Sequence, residues 1–339
     1  MPANLSPEYK RAEQAYRQAR QPREQIECLK EMLRVIPKHK GTERLQADIK
    51  SRIRDLTKES AGHGKAAHRG PSHAVHPDGA AQLCLVGPPG AGKSSLHARL
   101  TGSNSEAGRA PHPTRLPVPG MLPFKDISFQ LVDLPPVSIE FMQPELTSIL
   151  RSTDGALLVV DLSAPDCTEQ LALVLRRLAG AKIILTERWP GDVGSPAAIA
   201  ELSPADPFSV DLPTLLLANK TDLANPQDAA VLEDLLGVRF PAIATSATSG
   251  RGLAEIGPFL FNALGIVRVY TKAPGKPVDG KRPFTMRRGD TVQDVALQVH
   301  PDLARTLKFA RIWGSGQFSG QQVGADHVVA DTDVVELHS

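Results

Sequence analysis

Eight residues, Gly87 to Ser94, read GPPGAGKS and follow directly on the apolar run LCLV. Residues of these types in this order can hold phosphate. Glycines let successive backbone N–H groups turn toward anionic oxygens, a lysine neutralises the outer phosphates, and a hydroxyl ligates Mg2+. Gly87, Pro88, Pro89, Gly90, Ala91, Gly92, Lys93, Ser94 and Ser95 are the candidate phosphate-binding residues. Lys93 is the charge donor and Ser94 a metal ligand, at the start of a helix whose dipole favours an anion. The loop alone does not name the base, because similar loops open adenine-nucleotide kinases.

The base is read further along. ANKTD places Asn219, Lys220 and Asp222 after the apolar run TLLL, with Asn219 126 positions beyond Lys93. A carboxylate there accepts from both the N1–H and the exocyclic amine of guanine, a donor pair that adenine lacks. A wrong base leaves that acid unpaired, so the discrimination is strong. TSATSGRG adds Ser246 and Ala247, whose backbone can reach the guanine O6. Asp133, at the end of ISFQLVD, matches an acid that holds Mg2+ through water. Thr114, in the proline-rich loop PHPTRLPVPG, offers a hydroxyl to close over Mg2+ and the γ-phosphate. The blander alternatives are an acid in a strand-end turn and an ordinary loop threonine.

These residues need a scaffold, and the pattern around them predicts one. LCLV, ISFQLVD, ALLVVDL, KIILT, TLLLAN and FPAIAT are short apolar runs separated by helical stretches. Runs of that kind are strands of a parallel sheet buried on both faces, which defines an α/β class. From about Gly265 the chain changes character. VRVYTK, a Pro/Gly turn, RPFTM, a helix over 291–299, ARIWG and VVEL describe a small mixed β unit. The first 58 residues predict helices: Ser6 caps one with Pro7 at its first position, and later stripes run through Ile26, Leu29, Met32, Leu33 and Ile36, then Leu45, Ile49, Ile53 and Leu56. SAGHGKAAHRGPSHAVHPDG has no apolar period and reads as a flexible linker; its four histidines lack the spacing of a metal site. The expected divisions are a basic helical region at 1–58, a linker at 59–79, a nucleotide-binding domain at 80–265 and a β domain at 266–339.

Bulk properties narrow the setting. Three cysteines without a CxxC pair fit a reducing compartment, and an N-terminus that turns polar at once shows no secretory signal. The longest apolar runs are far too short to span a bilayer, so a cytoplasmic protein with no membrane partner is expected. The net charge of +2 is unevenly spread: residues 1–70 hold 16 basic against 9 acidic residues, and the rest of the chain 23 against 28. A basic arm on a mildly acidic body suits a polyanionic partner, or equally a solvated helical arm. That arm could also be a hairpin that binds protein.

In this order the motifs resemble those of the Obg-related GTPases, and within them the developmentally regulated GTP-binding (DRG) proteins. VRVYTKAPGKPVDGKRPFTMRRGDTVQDVALQVHPDL, with FARIWG and QQVGADHVVADTDVVEL, is similar to that family's TGS domain over essentially its full length. KGTERLQADIKSRIRDL is similar to its basic N-terminal helical region. The resemblance covers most of the chain. It implies a P-loop GTPase domain, a C-terminal ubiquitin-like β-grasp, GTP or GDP with Mg2+ as cofactors, and ribosome, RNA or protein partners. Lys93 and Thr114 would then be catalytic, and Ser94, Thr114 and Asp133 would hold the metal. An adenine-nucleotide kinase leaves NKTD, TSAT and the TGS segment unexplained.

The departures from the family pattern carry their own expectations. The family writes its magnesium-sensor motif D-x-P-G, whereas here Asp133-Leu134-Pro135-Pro136 stands. Pro136 has no N–H to give the γ-phosphate. The loss of one charge-assisted hydrogen bond, about 1.5–3 kcal/mol, corresponds to roughly a tenfold to hundredfold weaker preference for GTP over GDP. Gly90 replaces the Asn that potassium-dependent members use. The switch threonine pair is reduced to Thr114–Arg115. Only 86 positions separate Asp133 from Asn219, so the family's inserted subdomain is reduced or absent. Val137 stands where other GTPases have a water-positioning Gln, as in the family. Two outcomes follow: a GTPase with weak intrinsic hydrolysis, or a pseudo-GTPase scaffold that binds guanine nucleotide without sensing the γ-phosphate.

Overall fold

The computed structural model describes residues 6–19, 22–36, 42–61, 75–103, 116–137, 144–192, 208–224, 239–278, 282–316 and 318–339. Two compact units emerge, one of residues 1–72 with 205–208 and one of residues 73–204 with 209–339.

The first unit holds α1 (Pro7–Gln18), α2 (Pro22–Val35) and α3 (Glu43–Ala61). Ser6 caps α1 by accepting the Tyr9 N–H at 3.2 Å, with Pro7 at the first helical position as expected. Tyr9, Ala12, Leu29, Met32, Ile36, Ile49 and Leu56 form its core, the stripes that helical spacing marks out. Phe208, from much later in the chain, completes it edge-on to Tyr16. No apolar pattern in the sequence links Phe208 to this arm. The third helix runs to Ala61, past the expected end of the helical region.

The second unit is built on a seven-stranded sheet in the order β2-β3-β1-β4-β6-β5, with β7 also on β6. Its strands are β1 (Gln82–Val86), β2 (Val118–Phe124), β3 (Ile127–Asp133), β4 (Gly155–Asp161), β5 (Ile183–Thr186), β6 (Val210–Asn219) and β7 (Ala242–Ala244). Among the described residues these strands pair in parallel, except β2 with β3. Alternate residues of each apolar run face opposite sides. Leu83, Leu85, Leu157, Val159, Leu215 and Leu217 pack with α4 (Lys93–Thr101) and α7 (Leu253–Ala263). Cys84, Val86, Ala156, Leu158, Val160, Leu216 and Ala218 pack with α5 (Pro144–Ser152) and α6 (Cys167–Gly180). Helices on both faces explain why these strands are apolar throughout.

One expectation changes. The proline-rich stretch read as a loop through Gly120 becomes the edge strand β2 from Val118 onward. The turn Lys125–Asp126 closes on the Phe124–Ile127 pair, so the even-numbered residues of β2 bond to β3. Pro119 and Pro123 then sit where an N–H would point away from the sheet, the one place a strand tolerates proline. They also block a further strand from adding there.

The C-terminal part forms a second sheet, β11-β10-β12-β8-β9, from β8 (Ile266–Thr271), β9 (Phe284–Arg287), β10 (Phe309–Trp313), β11 (Gln321–Val323) and β12 (Asp333–His338). It packs on α8 (Val292–Val299), followed by the short α9 (Pro301–Thr306). Asp294 accepts from both the N–H and the hydroxyl of Thr291 and so caps α8. Two arginines tie this sheet to the first. Arg268 forks onto Asp331 at 2.8 and 3.0 Å and reaches Asp126, in the β2–β3 turn, at 2.7 Å. The Tyr270 hydroxyl also donates to Asp126. Arg287 reaches Asp154 at 3.1 Å, whose other oxygen accepts the first N–H of β1.

Burial alone would raise the carboxyls of Asp126 and Asp331, but hydrogen bonds more than offset it, from Tyr270 and Arg268 for Asp126 and from Arg268 for Asp331. Both therefore sit below the ordinary carboxylate value. Groups lowered in this way stabilise the fold above about pH 4, their unfolded value, and that stability is lost as pH falls through the lowered native values. Arg268→Ala is expected to cost about 2–3 kcal/mol at neutral pH, less than a fully buried pair because both acids are partly exposed. It should also flatten the fall in stability below about pH 4. Urea unfolding of both proteins at pH 7 and pH 3.5 checks both statements.

Candidate functional site

The candidate residues from Gly87 to Ser95, together with Asp133, Asn219, Lys220, Asp222, Ser246 and Ala247, meet at the C-terminal ends of β1, β3, β6 and β7. In an open parallel sheet this edge is where ligands bind, because the loops and helix N-termini converge there. Thr114 lies outside the described residues.

The loop between β1 and α4 is shaped by its glycines. Gly92 has φ +93° and a side chain there would collide with the Asn219 amide. Gly90 has φ +77° with open space around it, so its conformation rather than crowding calls for glycine. Asn is the residue that tolerates that region next best. Lys93 is buried, and its ammonium donates to the carbonyls of Gly87 at 3.0 Å and Pro88 at 2.9 Å. Burial pushes its pKa down to about 8, with Asp133 acting in the opposite direction.

Ser94 Oγ donates to Asp133 Oδ2 at 2.6 Å, across from α4 to the end of β3. A hydroxyl and a carboxylate side by side are hard oxygen donors. A small set of this kind suits Mg2+, which keeps several waters and takes the rest of its shell from phosphate. After Asp133 the chain stays pinned. Leu134, Pro135 and Val137 are buried, and the Val137 N–H donates to the Gly87 carbonyl at 3.1 Å. Pro135 and Pro136 have no N–H to offer.

Asn219 is 1 % exposed and joins the two halves of the site. Its Nδ2 donates to the Ala91 carbonyl at 2.9 Å, and its Oδ1 accepts from the Ala247 N–H at 3.3 Å. Thr221 supports the same arrangement: its N–H and hydroxyl both donate to the Thr245 carbonyl, at 3.2 and 2.9 Å. Ser246 closes its own turn by accepting the Ser249 N–H at 3.0 Å. Asp222 is exposed, in the turn after β6, where a base could reach it. Lys220 holds a left-handed φ of +62° and its ammonium meets Asp161 at 2.6 Å.

Val137, Asp161, Thr221 and Thr245 were not among the sequence candidates. Asp161 carried a legible signal: ALLVVD, like ISFQLVD, is an apolar run that ends in a carboxylate. The two threonines act through backbone carbonyls and left no such trace.

A strand, a glycine-shaped phosphate loop, a Ser–Asp oxygen pair and an NKxD turn on one edge of a mostly parallel sheet define a P-loop GTP-binding domain, here followed by a domain with its own sheet. Residues 82–187 match the 50S ribosome-binding GTPase family model, and residues 267–339 match the TGS domain. The chain is 30 % identical to an uncharacterized GTP-binding protein of Halobacterium salinarum, covering 93 % of this chain and 98 % of that protein. It is 24 % identical to Ribosome-interacting GTPase 1 of Saccharomyces cerevisiae over 93 % and 98 %. It is 23 % identical to Developmentally-regulated GTP-binding protein 2 of Mus musculus over 88 % and 94 %. The structure of the Schizosaccharomyces pombe YchF GTPase shares the fold, with a TM-score of 0.51 at 13 % identity over 78 % of this chain and 99 % of that one. The chain belongs to the Obg/DRG-type family of GTP-binding proteins with a C-terminal TGS domain.

Asn219→Ala removes both bridges and leaves the buried Ala91 carbonyl and the half-buried Ala247 N–H short of a partner. It is expected to lower stability by about 1–3 kcal/mol. Chemical unfolding of the nucleotide-free protein checks this.

Proposed function

We propose that this chain binds GTP and GDP with Mg2+, hydrolyses GTP slowly, and acts on the ribosome or another RNA. The observation that carries the nucleotide part is Asn219, which ties the phosphate loop to the TSA turn in one rigid unit. In this reading Gly87 to Ser95 surround the phosphates, Lys93 neutralises the outer ones, and Asp222 accepts from guanine while Ser246 and Ala247 face its O6. Ser94, Asp133 and Thr114 would hold Mg2+, which supplies neutralisation of charge on the phosphate oxygens when bound. With Val137 in place of a water-positioning Gln, turnover rests on positioning and charge from Lys93 and the loop N–H groups, and it is slow. The ribosome or RNA assignment draws on the basic helical arm, the TGS domain, and the relative named as ribosome-interacting.

A second reading, a scaffold that binds guanine nucleotide without sensing the γ-phosphate, is favoured by one observation. The segment that would swing toward the γ-phosphate is fixed, with two prolines, buried Leu134 and Val137, and the Val137 N–H committed to Gly87.

Calorimetric titration of nucleotide-free protein with GDP, a non-hydrolysable GTP analogue and ADP, all with Mg2+, tests both readings. GDP well above ADP supports the guanine assignment; equal affinities refute it. Tighter triphosphate binding supports a working GTPase, and equal or weaker binding supports the scaffold. Asp222→Asn is expected to weaken GDP by about tenfold or more, since each donor pair left badly matched to an acceptor costs on the order of 1–3 kcal/mol. Binding of phosphate holds Lys93 protonated, so GDP affinity should fall as pH rises above about 8. Proton uptake, seen as a buffer-dependent binding heat, accompanies it. Pro136→Gly, which restores an N–H, should raise the ratio of GTP-analogue to GDP affinity by roughly tenfold to hundredfold, the size of one charge-assisted hydrogen bond.

A further inference from the structure

We propose that Asp161 is a positioning residue for the guanine site, holding Lys220 across the strand ends so that its side chain is in place before the base arrives. This rests on the guanine-binding reading of NKTD.

The two oxygens of Asp161 are used for different things. Oδ1 accepts the Ser163 N–H at 2.9 Å and the Ser163 hydroxyl at 2.6 Å, which fixes the plane of the carboxylate. Oδ2 is thereby aimed at the Lys220 ammonium, 2.6 Å away. Asp161 ends β4 and is register-paired with Asn219 at the end of β6. Since β4 lies between β6 and β1 in the sheet, the ammonium is drawn from the NKTD turn toward the side that carries the phosphate loop. The four-carbon stem is laid across the edge where the nucleoside would sit.

A solvent-facing lysine ordinarily samples many rotamers, and a ligand that packs on it must freeze them. Here the acid partner is only 14 % exposed and the lysine 33 %, so the pair is partly buried. The backbone at Lys220 is left-handed, a conformation uncommon for residues other than glycine, so the turn that carries the lysine is itself closely specified. The immobilisation is made in the protein itself, and the base meets a preformed apolar stem. Base identity would still be read by Asp222. Asp161 therefore acts on affinity without acting on selectivity.

The experiment is a double-mutant cycle on the full chain with Mg2+, measuring GDP and ADP affinity for wild type, Asp161→Asn, Lys220→Met and the double variant. Lys220→Met keeps an apolar stem and removes only what Asp161 holds. Each single change is expected to weaken GDP by roughly three- to tenfold, the cost of immobilising one long side chain on binding. The double variant should bind no worse than the weaker single one, and the GDP-to-ADP ratio of Asp161→Asn should stay at the wild-type value. Unchanged GDP binding by Asp161→Asn, or additive losses, overturns the proposal. A changed GDP-to-ADP ratio also overturns it, because it would put Asp161 in base recognition itself. A wild type that does not prefer GDP to ADP takes down the guanine reading, and this role with it. If Asp161→Asn does not fold, Ser163→Ala, which removes only the hydroxyl that aims the carboxylate, is read by GDP dissociation rate: faster release supports the role and an unchanged rate refutes it.

Discussion

The side chain of Asn219 is the point on which the site depends. It is buried, and with its amide it holds the carbonyl of Ala91 on one side and the N–H of Ala247 on the other. A buried amide must satisfy these groups or leave them unpaired, so the three loops cannot drift independently. Gly92 has to be glycine because the Asn219 amide occupies the space a side chain would need. The phosphate loop therefore takes its shape partly from a residue far along the chain.

The sheet makes that contact possible. Strands β1, β4 and β6 lie next to one another in parallel, so their C-terminal ends come out on one edge. Gly87 follows β1, Asp161 ends β4 and Asn219 ends β6. β3 enters the same edge from the other side of β1 and delivers Asp133 opposite Ser94. Burial on both faces leaves these strands little freedom to shift, since a slip of one residue would exchange the two apolar clusters. Charge chemistry at the edge is thus supported by a core that carries almost none. At the far end of the sheet two buried neutral amides, Gln82 and Gln130, bond to one another at 2.7 Å.

The segment after Asp133 shows how a local sequence change becomes a physical constraint. Pro136 removes a donor, which the chain alone reveals. The structure adds that the next available N–H, on Val137, is already bonded to Gly87, and that Leu134 and Val137 are buried in the core. A hinge made of two prolines between two buried anchors resists the backbone rotation that a switch requires.

Much of the fold and site was legible in the sequence, because the signals are local. Apolar runs of strand length, the glycines of the phosphate loop, the Ser6–Pro7 helix start and the NKTD turn depend on residues close together in the chain. Periodicity and backbone stereochemistry determine them before any long-range contact forms. The strand β2 escaped because two prolines normally argue against a strand, and only its place at the sheet edge makes them harmless. Tertiary structure alone decided which carboxylates found which cations: Asp126 and Asp331 with Arg268, Asp154 with Arg287, and Asp161 with Lys220. It also decided that Phe208 fills the helical core and that Val137 bonds to Gly87. These partners stand from 50 to more than 190 positions apart in the chain, and no spacing rule spans such distances. Their pairing follows from the order in which the strands assemble, and that order is a property of the packed sheet.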